Sequence, residues 1–89
     1  MTPYIKPEQR PALDGFLEPL ILEIVNSGPT LRDGEVNYVI TRLLHALYRE
    51  SYFDMNAALG VLEAAKLEFY RRRVAPYEDK KVRENGDVL

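Results

Sequence analysis

Residues 54–75, DMNAALGVLEAAKLEFYRRRVA, place apolar side chains on nearly every side of a helix. Met55, Ala58, Leu59, Leu62, Ala65 and Phe69 fall on one face, while Ala57, Gly60, Ala64 and Ala75 fall on the opposite side, edged by Val61 and Leu67. A helix that is apolar all round has to be covered all round. In a chain of 89 residues two companion helices do not readily surround a third, so the pattern predicts cover from a second subunit. The stripe Ala57, Gly60 and Ala64 reads in two ways: close approach of another copy, or close packing against a bent first helix. Either would compensate for Gly60, since glycine costs a helix interior up to ~1 kcal/mol relative to alanine.

Two further helices precede it. Leu13, Phe16, Leu17, Leu20, Ile21, Ile24 and Val25 recur at the i, i+3, i+4, i+7 spacing of one helix face. Pro7 or Pro11 suits a first turn, Pro19 should bend the run, and Gly28-Pro29 should stop it. The second helix is expected to start after a loop, with Asp33 as N-cap and Val36, Val39, Ile40, Leu43, Leu44 and Leu47 as its buried stripe. Asp54 is the expected cap of the third helix. After Pro76 the charged run YEDKKVREN suggests a short polar helix, with Gly86 just past its end. The expected fold is therefore all-α: a single domain over 1–89 with helices at about 8–26, 33–50 and 54–75. A short polar C-terminal helix or tail would occupy 76–89, and the whole would assemble as a helical homo-oligomer.

Composition removes several alternatives. There is no cysteine and one histidine, which leaves no disulfide framework and no Cys/His zinc site. A net charge of −2 lacks the basic excess of a general nucleic-acid binder. No apolar run approaches the ~20 residues of a membrane span, so a cytoplasmic protein is expected. Charge is unevenly placed: Glu8, Asp14, Glu18 and Glu23 stand against Arg10 early in the chain, whereas Lys66, Arg71, Arg72 and Arg73 stand against Glu68.

Catalytic machinery is sparse. The two serines, Ser27 and Ser51, fall at expected connections, and His45 has no carboxylate at helical spacing. There is no Glu-x-x-His pair and no glycine-rich phosphate loop. No catalytic residue, metal or cofactor is expected. Two cationic features remain. Tyr38, Arg42, His45 and Arg49 follow one stripe of the second helix, either as a solvated face or as an anion site in which a ring stacks on a base and guanidinium groups hold phosphate. Arg71, Arg72 and Arg73 diverge by about 100° each on a helix. They serve either the helix C-terminus and neighbouring acids, or a positive site completed by arginines of other copies.

The stretches PYIKPEQRP, NYVITRLLHALY, LGVLEAAKLEFYRRRVAPYEDKK and ENGDV resemble a family of small uncharacterised proteins of tailed bacteriophages and bacteria. The family is a domain of unknown function, so the resemblance implies no catalytic or binding residue. It does imply a phage-type binding protein that is not an enzyme. The function expected is sequestration of a small anionic nucleotide-like host defence signal at an arginine-rich site between subunits. Arg71, Arg72 and Arg73 would neutralise phosphate, Tyr70 or Tyr77 would stack on a base, and Arg42 or His45 would assist. Ala57, Gly60, Val61, Ala64 and Leu67 would form the oligomer interface. The alternative is a helical adaptor or inhibitor that docks on a host or phage protein.

Overall fold

A computed structural model of the protein describes residues 2–89, whose regular structure is helical, with no strand among them. A 3-10 turn, Pro7–Gln9, leads into α1 (Arg10–Ser27), followed by α2 (Pro29–Leu47) and α3 (Tyr52–Phe69). A π-turn, Tyr70–Val74, joins α3 to α4 (Ala75–Asn85). The chain divides into two units, one spanning Tyr4–Met55 and the other built on Asn56–Leu89.

In the first unit, the entry to α1 is stitched by side chains. Gln9 N–H donates to the Lys6 carbonyl and the Gln9 side chain accepts from Lys6 N–H, while Arg10 donates twice to the Ile5 carbonyl, at 3.0 and 2.7 Å. Pro7 opens the 3-10 turn and Pro11 sits in the first turn of α1, where no N–H is required. The α-helix continues through Pro19.

The junction of α1 and α2 differs from the expected loop. Gly28 alone ends α1 and begins α2, with φ +91° and ψ 165°. Pro29 is therefore a start as well as a stop, because its fixed φ suits a first helical turn. Asp33 lies inside α2 and is not its cap; its carboxylate accepts from Arg32 Nε at 3.0 Å. The helix also ends earlier than expected, at Leu47, with Tyr48 extended at φ −115°.

Asp54 enters α3 differently from expectation too. Ser51 Oγ accepts from Asp54 N–H at 3.2 Å, which makes Ser51 the capping residue. The Asp54 carboxylate instead reaches back to Arg49 N–H, at 2.8 Å. Serine and acid thus satisfy donors on both sides of the helix start, a variant of the reciprocal serine–acid cap.

The second unit is one helical run, from α3 beyond Met55 through α4. Pro76 does not break it. Proline lacks an N–H and its ring would crowd the carbonyl of Arg72, four residues back. The backbone widens just before the proline, so that Ala75 N–H donates to the Tyr70 carbonyl, five residues back. The C-terminal element is a helix, closed by Gly86 at φ +89°. Its polar surface carries Glu84 between Lys80 and Lys81, at 3.9 and 3.2 Å.

Among the described residues the one buried hydrophobic side chain is Ala58, at 8% exposure. The stripes expected to be core lie largely open: Phe16 is 81% exposed, and Leu13, Leu17, Ile21, Val25, Val36, Ile40, Leu43 and Leu47 are exposed as well. Leu20, Ile24, Val39 and Leu44 are half-buried. Two helices in one unit and a single helical run in the other cannot each enclose an apolar interior.

Candidate functional site

The expected binding residues fall on two elements. On α2, Arg42 Nη1 donates to the Tyr38 hydroxyl at 2.8 Å, and its guanidinium carbon sits 5.7 Å from the Tyr38 ring centroid. One helical turn brings them together, and the Tyr38 hydroxyl takes up one of the guanidinium donors that a phosphate would use. His45 lies in the last turn of α2. Arg49 falls beyond the helix end, so the stripe stops short of it.

The other expected residues flank the π-turn. Arg71 Nη2 contacts both oxygens of Glu68, at 3.0 and 3.2 Å. Arg73 lies over the Phe69 ring at 5.9 Å, while Arg72 is exposed. The three guanidinium groups therefore have three different surroundings, as their angular spread on a helix requires. Tyr70 is exposed; Lys81 sits 5.5 Å from the Tyr77 ring centroid.

An open depression on α2 is lined by Asp33, Gly34, Asn37, Tyr38 and Thr41. It offers a carboxylate, amide and hydroxyl groups and no cation, so its chemistry does not suit an anion. No metal-holding group of His, Cys, Asp and Glu occurs among the described residues. None of their helices is long and apolar enough to cross a membrane.

Of the residues expected at an oligomer interface, Ala57, Gly60 and Ala64 are half-buried, whereas Val61 and Leu67 are exposed. The larger open surface lies elsewhere. Met55, Leu59 and Phe69 stand exposed along another face of α3, and Leu17, Ile21 and Val25 along α1. Tyr52 and Phe53, at the start of α3, are among the most exposed aromatics, Phe53 at 83%. The helical spacings of Met55, Leu59 and Phe69 and of Leu17, Ile21 and Val25 are readable as apolar faces in the sequence; the exposure of those faces is not.

The sequence matches the model of a domain of unknown function, DUF6899, over residues 2–88. The chain belongs to this family. No curated protein and no solved structure matches it. The DUF6899 match spans both units and all four α-helices, so the family unit includes the open stripes as well as the arginine turn.

Proposed function

We propose that the chain is a helical binding module that completes its apolar core against another protein chain and acts through that contact, as an adaptor or inhibitor. The observation that carries this reading is the scarcity of buried apolar side chains beside fully helical structure. Helices of this length owe most of their stability to packing of an apolar face, so the stripes call for cover. A partner chain supplies it; a small ligand does not have the area. The resemblance to small phage and bacterial proteins fits a non-enzymatic module of this kind in the bacterial cytoplasm.

Site-specific photo-crosslinking in the producing cell tests the reading. A crosslinker replacing Phe16, Phe53 or Leu59 should capture a protein chain, whereas one replacing Glu78 on α4 should not. A purified chain that melts cooperatively as a monomer at nanomolar concentration, with slow amide exchange throughout α1 and α3, sinks it.

Sequestration of a nucleotide-like signal is a second reading, favoured by one observation: Tyr70, Arg72 and Tyr77 are all exposed around a single widened turn. Phosphate would be held by Arg71, Arg72 and Arg73, with Arg42 or His45 assisting, once copies bring these groups together. Hydrogen bonds to charged groups contribute roughly 1.5–3 kcal/mol each, so Arg72→Ala should weaken binding about ten- to a hundredfold. Calorimetric titration with cyclic and linear nucleotides decides it, and absence of binding to the unmodified chain removes it.

A further inference from the structure

Two of the open stripes carry an excess of opposite charge, Asp14 and Glu18 against Arg10 on α1 and Lys66 and Arg73 against Glu63 on α3. On α1, Leu17, Ile21 and Val25 are exposed at four-residue intervals. Asp14 and Glu18 follow along the same side, since residues three and four apart share a helix face. On α3, exposed Met55, Leu59 and Phe69 form a stripe with half-buried Leu62 between them. Lys66 lies within that stripe, four residues from Leu62, and Arg73 extends it over the Phe69 ring. Lys66 is held only by a surface pair with Glu63 at 3.4 Å, in which both side chains are more than half exposed. Such pairs contribute little, so Lys66 is available to a better-buried carboxylate.

We propose that two copies of the chain pair reciprocally, the acid-edged stripe of α1 in each covering the base-edged stripe of α3 in the other. The inference rests on the binding-module reading and names its partner. Complementarity favours a second copy over a foreign protein: a foreign partner would have to bring both a basic apolar stripe and an acidic one, and this chain has both. A two-fold arrangement makes both contacts identical and closes the assembly.

The chain has no cysteine, so introduced ones report cleanly. An Ile21→Cys chain mixed with a Leu59→Cys chain should give a mixed disulfide on mild oxidation, faster than either variant links to itself. In sedimentation equilibrium, Glu18→Lys and Lys66→Glu should each weaken dimerisation about tenfold, and the double variant should recover most of it. Circular dichroism of the double variant controls for loss of folding. A dimer that forms no mixed disulfide and ignores both charge reversals overturns this pairing and leaves the binding-module reading standing. So does a chain that is monomeric at high micromolar concentration yet crosslinks to a different protein through Phe16 or Leu59. A monomer with slow exchange at both stripes means that the chain covers them itself, and both readings fall together.

Discussion

Ser27 Oγ lies 3.1 Å from Glu35 Oε2, a bond that spans the corner at Gly28 and ties the end of α1 to the second turn of α2. The same hydroxyl is 3.1 Å from the Glu23 carbonyl, and the other Glu35 oxygen is buried without a hydrogen-bond partner. Ser27→Ala should therefore cost about 1 kcal/mol or more, because the carboxylate is left less satisfied than before. Chemical denaturation at fixed protein concentration measures it. An unchanged midpoint would mean that the corner is held by its backbone alone.

The backbone at that corner is demanding. Gly28 has φ +91° with ψ 165°, a region essentially closed to side-chain-bearing residues. Gly28→Ala should lower stability by roughly 1–3 kcal/mol. Gly34→Ala should do the reverse and gain roughly 0.5–1 kcal/mol, since Gly34 is mid-helix and an added Cβ meets nothing within 4 Å. Thermal melts of the two variants should move in opposite directions.

The start of α3 gives a third expectation. Removing the hydroxyl in Ser51→Ala should cost about 0.5–2 kcal/mol, and Ser51→Asp should retain most of the cap. Hydrogen exchange at Asp54 N–H reads the loss locally. Equal protection in all three proteins would show that the Asp54–Arg49 bond carries the helix start by itself.

A fourth expectation concerns Pro76. With Pro76→Ala the introduced residue can donate to the Arg72 carbonyl, and the reason for the widened turn disappears. Ala75 N–H should then shift its bond from Tyr70 to Arg71, with a stability gain of roughly 1–3 kcal/mol. Carbonyl–amide couplings in NMR identify the acceptor directly; retention of the Tyr70 bond would place the cause of the π-turn elsewhere.

Local chemistry was the more legible part of this chain. The apolar spacings of 13–25, 36–47 and 55–69 fall within helices, and Gly86 closes the last one, because these signals depend on neighbours three to five residues away. The boundaries that moved did so through competition between adjacent signals. Pro29 overrode Asp33, and Ser51 took the capping role assigned to Asp54. The π-turn was not anticipated, since proline after a helical run reads equally as a stop. Burial was the least legible: spacing says which side of α1 or α3 is apolar, and it does not say what lies against that side. The arginine run read correctly as divergent, while its partners, Glu68 and Phe69, depended on rotamers that sequence does not record.

The π-turn also acts as a phase shift. It takes up one residue more than an α-turn would, which rotates everything after Val74 by about 100° relative to an uninterrupted helix. A partner helix running straight along α3 would therefore lose its stripe on reaching α4, as a nut stops at a damaged thread. Contact would end at the arginines unless the partner wrapped around with them. Deleting one residue between 70 and 74 would realign the two segments, so the length of this turn, as much as its charge, limits how far along the helix a partner can reach.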